Sequence, residues 1–136
     1  MKYAIHQIHL SNEQVDEINT SNEVPAYYQH KLAVTMPFSD DSVAKRVKDV
    51  ETAAYLYSHV GNITADSLEG VFEAGNIGPE ERIERLAPMS SVSVGDVIVD
   101  EDGVASVVDS FGFTTLYQWH RFTTLDGLVF ENKETI

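Results

Sequence analysis

The spacing of apolar and polar positions changes along the chain, from mostly helical periods in the first ninety residues to mostly β-type alternation after them. Residues 3–10 are an exception, because β-forming residues with apolar groups on both parities predict a strand covered on both faces. Ser11 and Gln14 then form a capping-box pair, which predicts the start of a short helix. A strand followed by an amphipathic helix is therefore expected first.

Two more helices are predicted in the next segment. Pro25 suits the first position of a helix that is expected to run to about Met36, because Pro37 prevents its continuation. Asp40 or Asp41 is expected to cap the following helix, whose valines have helical spacing.

The segment from Ala53 to Val60 leaves two interpretations open, an extension of the preceding helix or a separate strand. Alternation of tyrosine and histidine with smaller or aliphatic residues favours the strand. Gly61 and Asn62 follow, and they are expected to end it.

An acidic helix is predicted from residue 66 onwards. Asp66 is expected to cap it, with Glu69 at the third helical position facing water. Leu68, Val71 and Phe72 form its predicted buried stripe.

A further acidic helix is predicted after a glycine-rich break. Pro79 suits its first position, and Glu80 to Leu86 supply one or two turns. Pro88 is expected to end it.

A β-hairpin is predicted around the acidic turn, and two registers compete for it. A two-residue loop of Asp102 and Gly103 would place Asp96 opposite Asp109, where like charges are unfavourable. A three-residue loop that begins at Glu101 is therefore preferred, since it also puts Gly103 where left-handed backbone is needed.

The preferred register makes a specific prediction about strand pairing. Val97 is expected opposite Val107, and Val99 opposite Ala105. Another strand is predicted where residues of one parity are aromatic or β-forming: Phe111, Phe113, Thr115, Tyr117 and Trp119.

These elements define the expected fold class. Residues 1–136 are expected to form a single compact α+β domain with a mostly antiparallel sheet, several short helices and a β-rich C-terminal half. Residues 131–136 are expected to form a frayed tail.

Composition narrows the classes of function. A chain of 136 residues with 43% hydrophobic residues is ordinary for one globular domain and excludes disorder as its main state. A net charge of -13 argues against direct nucleic-acid or anionic-membrane binding. The absence of cysteine excludes thiol nucleophiles, and no segment has the apolar length of a membrane span. Since the start lacks a signal-peptide core, cytoplasmic localisation is expected.

The five histidines are the first candidates for chemistry. His6 and His9 are three residues apart, so on a strand they point to opposite faces and cannot share an ion. His59 and His120 could meet across the sheet with Asp96 or Asp109, which the sequence does not decide. No nucleotide-binding or protease motif occurs, and no catalytic residue, metal or cofactor is assigned.

Acidic residues are concentrated in the middle of the chain. Residues 61–110 hold eleven acidic and two basic residues, whereas residues 1–60 hold eight and five. Such carboxylates are expected at the surface, where two glutamate pairs on the predicted helices would repeat at roughly 6 Å and imitate every second phosphate. A solvated surface that aids solubility is the other interpretation. The candidate partner-binding residues are Asp66, Glu69, Glu73, Glu80, Glu81, Glu84, Asp100, Glu101 and Asp102.

Two motifs carry a resemblance to a known family. Residues 90–99 (SSVSVGDVIV) and 108–113 (VDSFGF), with the acidic helix before them, make residues 66–113 similar to the YodL-like domain. Members of that group are small proteins, or modules of larger ones, encoded by phages and conjugative elements. The resemblance implies a fold and a genomic setting, and it brings no catalytic residues.

The leading hypothesis is a non-enzymatic accessory protein of a phage or mobile element that binds a host protein with a basic surface in the bacterial cytoplasm. Host takeover or anti-defence by nucleic-acid mimicry would fit. The alternative is a structural or virion-associated oligomerising protein that packs through Trp119, Phe122 and Phe130. A small hydrolase or ligand-binding enzyme is the third. No cofactor, nucleic acid or membrane is expected as a partner, and a homo-oligomer stays open.

Overall fold

A strand opens the chain, three of the four described helices follow it in the first half, and four of the six described strands lie in the second half. The computed structural model of the protein describes residues 1–36, 43–110 and 112–116. The strands are β1 (Lys2–Ile8), β2 (Tyr57–Thr64), β3 (Ile83–Arg85), β4 (Val97–Val99), β5 (Ala105–Val108) and β6 (Phe113–Leu116). The helices are α1 (Asn12–Thr20), α2 (Ala26–Thr35), α3 (Val43–Ala53) and α4 (Leu68–Asn76), with short 3-10 turns at Ala54–Leu56 and Glu80–Arg82.

These six strands form one sheet in the order β3-β2-β1-β4-β5-β6. The pairs β2–β3, β1–β4, β4–β5 and β5–β6 are antiparallel. Four of the six described strands begin after residue 80. The expected α+β class, with its mostly antiparallel sheet, several short helices and β-rich C-terminal half, is confirmed.

The described residues divide into two compact units. The sheet unit, residues 1–7 and 58–116, contains most of the sheet together with α4. The helical unit, residues 8–57, contains α1, α2 and α3. The single domain over residues 1–136 stays a prediction, and the tail at residues 131–136 lies outside the described residues.

The core of the sheet unit is built from one face of β1 and the inner side of α4. Tyr3, Ile5 and Gln7 alternate along β1 and are buried. Val71 and Ala74 are the buried residues of α4, and they belong to the same core as Tyr3 and Ile5. Since full burial of an aliphatic side chain contributes about 1.5–3 kcal/mol, these contacts fix α4 on the sheet.

The end of α4 is fitted closely to the loop before β4. A Cβ atom at Gly75 would overlap the side chain of Val92, which is itself fully buried. The Asn76 side-chain amide donates a hydrogen bond to the Val92 carbonyl at 2.8 Å. Glycine is therefore required at position 75 by a close approach between the helix and the loop.

The β4–β5 hairpin has the predicted register. Val97 pairs with Val107 and Val99 with Ala105, so the three-residue loop is confirmed. The backbone of Gly103 has a φ of 86°, the left-handed conformation that was expected there.

The start of the helical unit also follows the prediction. Ser11 Oγ accepts a hydrogen bond from the Gln14 N–H at 3.1 Å, and Gln14 Oε1 accepts one from the Ser11 N–H at 2.8 Å. Pro25 stands at the N-cap of α2, one residue before the predicted position. The Tyr27 hydroxyl joins α2 to α1 by donating to the Glu17 carboxylate at 2.6 Å.

A buried arginine joins α3 to α2. Arg46 Nη1 donates a hydrogen bond to the Val34 carbonyl at 2.7 Å. Val34 of α2 and Val50 of α3 are buried, whereas Val43 at the start of α3 is 64% exposed. The predicted caps of α3, Asp40 or Asp41, lie outside the described residues.

The start of α4 differs from the prediction. Ser67 is the N-cap instead of Asp66, and its Oγ accepts a backbone N–H of the first turn at 3.1 Å. The chain is still tied to the start of β1 at Ala65, whose N–H donates to the Met1 carbonyl at 3.0 Å, so the helix begins one residue later. Phe72, predicted to lie in the buried stripe, is 40% exposed.

The predicted helix from Glu80 to Leu86 is wrong. One 3-10 turn is followed directly by β3, which pairs with β2. Gly61 and Asn62, expected to end a strand, lie inside β2 for the same reason. A neighbouring strand supplies backbone hydrogen bonds that local propensity does not take into account.

Two predicted strands have different bounds in the structure. The segment 53–60 contains the last residue of α3 and a 3-10 turn before β2 begins, so the strand interpretation is right for its second half. β6 coincides with the middle of the predicted aromatic strand, and Phe111, Tyr117 and Trp119 lie outside the described residues.

Candidate functional site

The start of β1 joins two acidic segments at one end of the sheet. The Met1 carbonyl accepts a hydrogen bond from the Ala65 N–H at 3.0 Å, and the Lys2 N–H donates to Glu101 Oε2 at 2.9 Å. Ala65 directly precedes Asp66, and Glu101 lies in the β4–β5 turn. Two acidic segments that are far apart in sequence are therefore neighbours.

Tyr3 is only 5% exposed, and the charges of four carboxylates act on its phenol. Burial raises the pKa of the Tyr3 phenol, and the negative charges of Asp100, Asp66, Glu101 and Glu69 raise it further. Charges act in this way only from nearby, because salt screens their interactions over about 8–10 Å. We call Asp66, Glu69, Asp100 and Glu101 the Tyr3 acidic cluster.

Two more of the predicted residues adjoin this cluster. Glu73 follows Glu69 by four positions on α4, so the two exposed side chains lie on one face at roughly 6 Å spacing. Asp102 is exposed in the hairpin turn, where its N–H donates to Asp100 Oδ1 at 2.9 Å. Six of the nine predicted residues thus belong to the cluster or adjoin it.

The other three predicted residues lie on the 3-10 turn and on β3. The Arg85 guanidinium donates to both carboxylate oxygens of Glu80, at 2.7 and 3.0 Å. This hydrogen bonding lowers the pKa of Glu80. Glu81 is exposed on the same turn.

Glu84 is also engaged by neighbouring groups. It accepts a hydrogen bond from the Asn62 amide at 2.9 Å, and its Oε1 lies 3.7 Å from Lys2 Nζ. The Asn62 hydrogen bond and the Lys2 charge lower the pKa of Glu84. Because Glu80 and Glu84 lie on different elements and contact cations, the predicted helical row of these two carboxylates is wrong.

A groove of about 270 Å³ opens between α4 and the turn that joins β5 to β6. Its lining includes Glu69 and Phe72 from α4, and Asp109 and Phe113 from the other side. We call it the α4–β6 groove. Sequence reasoning missed it because Phe72 was placed in the core, and no local pattern links Phe72 to Asp109.

Two histidines stack on neighbouring strands. The ring centroids of His6 and His59 are 5.1 Å apart with an interplanar angle of 21°, and His59 Nε2 lies 2.9 Å from Asn62 Oδ1. Burial, with a smaller contribution from His59, lowers the pKa of His6 to about 4. Within residues 1–36, 43–110 and 112–116, no group of three His, Cys, Asp or Glu side chains could hold a metal ion. His120 lies outside these ranges, so its pairing with Asp109 stays a prediction.

Buried polar side chains tie the loop before β4 to β1. Gln7 Nε2 donates to Asp96 Oδ2 at 2.9 Å and to the Ser90 carbonyl at 3.0 Å, while Gln7 Oε1 accepts the Ser90 N–H at 3.0 Å. Asp96 Oδ2 also accepts the Ser93 N–H at 3.0 Å. Gln7 is 2% and Asp96 8% exposed. Burial raises the pKa of Asp96 to about 6, although these hydrogen bonds act in the opposite direction.

Comparisons with known proteins leave the sequence resemblance untested. No protein-family model, curated protein or solved structure matches the chain. The similarity of residues 66–113 to the YodL-like domain stays a prediction. Among the helices that the structure describes, none is both long and apolar enough to cross a lipid bilayer.

Proposed function

We propose that this chain is a non-enzymatic accessory protein that binds a basic surface of another protein. The binding surface consists of the Tyr3 acidic cluster with Glu73 and Asp102. The observation that carries the proposal is the pair of hydrogen bonds that the Met1 carbonyl accepts from Ala65 and the Lys2 N–H donates to Glu101, which brings the start of α4 next to the β4–β5 turn.

The charge of the sheet unit supports this proposal. Its sequence ranges hold eleven acidic residues and three basic ones. Two of the three, Lys2 and Arg85, contact Glu84 and Glu80, outside the cluster. A basic partner would therefore meet a largely uncompensated field, which speeds association and makes it sensitive to salt.

The cluster is also partly preorganised. Glu101 is held by the Lys2 N–H, and Asp100 Oδ1 accepts the N–H groups of Asp102 and Val104 at 2.9 Å each. Side chains that are already ordered lose less conformational entropy when a partner binds. Preorganisation favours a binding role over that of a merely solvated surface.

Nucleic-acid mimicry enters the proposal in a narrower form than the sequence suggested. Glu69 and Glu73 retain the helical spacing, whereas Glu84 lies on β3. We therefore propose a carboxylate surface for a basic protein, without a long row at phosphate spacing.

The biological setting is proposed from the sequence resemblance alone. A phage or mobile-element protein that acts on a host protein, in host takeover or anti-defence, is consistent with the motifs in residues 66–113. The bacterial cytoplasm is the proposed location. The aromatic residues on which the oligomerisation alternative depends lie outside the described residues, and no observation favours that alternative.

A matched pair of charge variants tests the proposal. The triple variant E69Q/E73Q/E101Q removes three charges from the proposed surface, and E13Q/D16N/E23Q removes three exposed charges from the helical unit. We expect the first variant to bind the partner about tenfold more weakly, since three exposed ion pairs of about 0.5 kcal/mol each amount to roughly that factor. The control is expected to bind within about twofold of the wild type.

The partner is first captured from a bacterial lysate at low and high salt and purified. It is then titrated with the wild type and with each of the two triple variants. Thermal unfolding of each variant shows that the fold is retained. An equal loss for both triple variants, or no loss for either, would contradict the proposed surface.

A further inference from the structure

The α4–β6 groove combines an exposed aromatic side chain with carboxylates. Phe72 is 40% exposed on a helix whose opposite side, Val71 and Ala74, is buried. Phe113 lines the groove and packs against the core of the sheet unit. One ring is therefore accessible to a ligand, while the other provides a fixed wall.

The two carboxylates of the groove come from opposite sides. Glu69 lies one turn before Phe72 on α4, and side chains three positions apart share a helix face. Asp109 accepts a hydrogen bond from the Thr114 hydroxyl, and its backbone N–H donates to the Gly112 carbonyl at 2.9 Å. The Asp109 carboxylate is thus positioned by its own turn.

The lining of the groove is complementary to a cation. It carries the acidic Glu69 and Asp109, and none of the described residues that line it is a lysine or an arginine. Glu69 also belongs to the Tyr3 acidic cluster, so the groove is continuous with the proposed partner-binding surface.

Arginine fits this lining better than lysine does. A guanidinium group is planar, stacks on aromatic rings and donates parallel N–H groups to a carboxylate. A lysine ammonium is a strongly hydrated point charge that makes less use of a ring face. The combination of Phe72 with Glu69 and Asp109 therefore selects for the guanidinium.

We propose that the α4–β6 groove binds an arginine side chain of the basic partner protein, with the guanidinium stacked on Phe72 and hydrogen-bonded to Glu69 and Asp109. This inference rests on the proposed function and adds a determinant of specificity to it. A partner that presents lysine at this position would bind through charge alone.

The test uses three short peptides that differ only at a central residue, which is arginine, lysine or the neutral isostere citrulline. Each is titrated into ¹⁵N-labelled protein, and the amide resonances of the protein are followed by NMR. The arginine peptide is expected to bind about three- to tenfold more tightly than the lysine peptide. Its largest shifts are expected at Glu69, Phe72 and Asp109.

Phe72→Ala is expected to abolish the preference for arginine over lysine. The matched control is Ile77→Ala, which removes an 82% exposed apolar side chain outside the groove lining and should keep the preference. Phe72→Leu retains apolar volume without a ring, so it should also lose the preference for arginine. It provides the test if the alanine variant fails to fold.

Equal binding of the arginine and lysine peptides, or an unchanged preference in both Phe72 variants, would overturn the arginine site. If the preference is absent while E69Q/E73Q/E101Q weakens capture of the partner, the groove inference fails and the proposed function stands. If the preference is present and the triple variant captures the partner normally, the proposed function and the partner's arginine as occupant fail, whereas the preference of the groove for a guanidinium stands.

Discussion

The two units of the chain differ in the sequence separation of the contacts within each of them. In the helical unit, the capping box joins Ser11 to Gln14 and the Tyr27 hydroxyl joins neighbouring helices. In the sheet unit, the hydrogen bond from Gln7 to Asp96 spans 89 residues. The bond from Lys2 to Glu101 spans 99.

The same difference applies to charge. Residues 8–57 hold eight acidic and four basic residues, and Lys45 pairs with Asp49 within one helix at 2.7 Å. In the sheet unit, acids from two distant segments meet because β1 lies beside both β2 and β4. Topology, rather than acid content alone, therefore creates the Tyr3 acidic cluster.

The largest expected effect is the loss of stability on replacing Gln7, compared with the same replacement at Gln14. Gln7→Ala should lower the free energy of unfolding by about 2–3 kcal/mol, because buried partners of its amide lose their hydrogen bonds. Gln14→Ala removes the half-exposed partner of a capping box and should cost about 0.5–1 kcal/mol. Urea denaturation of the two variants measures the contrast, and an equal or larger loss for Gln14→Ala would contradict the comparison.

Measurements of stability at several pH values are expected to reveal the contribution of Asp96. The pKa of Asp96 in the folded protein is raised to about 6 from an ordinary value of 3.8. Between these values the folded state binds a proton that the unfolded state does not, so lowering the pH adds stability. Relative to Asp96→Asn, the wild type should gain up to about 2 kcal/mol between pH 7 and pH 4.

Urea denaturation at several pH values gives this difference. The contribution of His6, whose low pKa acts in the opposite direction because the unfolded state binds its proton first, is common to both proteins and cancels. A difference that stays constant with pH, or grows as the pH rises, would show that Asp96 is not buried as described.

A smaller effect is expected at the end of α4. Gly75→Ala should destabilise the protein by about 1–2 kcal/mol, since the overlap with Val92 outweighs the gain in helix propensity. Gly70→Ala is the matched control on the same helix. Its Cβ would lie 3.2 Å from the Ala65 Cβ, a tight contact without overlap that offsets the gain in helix propensity, so it should change stability by less than about 0.5 kcal/mol. Chemical denaturation compares them, and equal losses would mean that the close approach is unimportant.

The parts of the fold that could be predicted are those that local rules determine. The capping box at Ser11 and the three-residue hairpin loop that ends at Gly103 depend on side chains a few residues apart. Opposed charges at Asp96 and Asp109 were enough to choose the hairpin register. In each case the competing structures could be compared without knowing the rest of the chain.

The errors occur where a distant segment intervenes. Ser67 replaces Asp66 as the cap because Ala65 is still bonded to Met1. The residues around Glu84 form a strand because β2 supplies a neighbour. The acids of the candidate site could be listed from the sequence, but their division into a cluster and a set of cation-paired residues depends on the sheet.

No local sequence pattern predicts the α4–β6 groove or the buried hydrogen bonds of the sheet unit. Phe72 fits a helical apolar stripe, and only the packing of α4 shows that its ring is exposed. Gln7 and Asp96 are 89 residues apart, and nothing near either one indicates the other.

The dependence of partner affinity on salt tests the central claim most directly. The slope of log Kd against log salt concentration, measured with the captured partner, should become markedly shallower for E69Q/E73Q/E101Q because three charges have left the interface. E13Q/D16N/E23Q should keep the wild-type slope. Equal slopes for the wild type and both variants would contradict a binding surface at the Tyr3 acidic cluster.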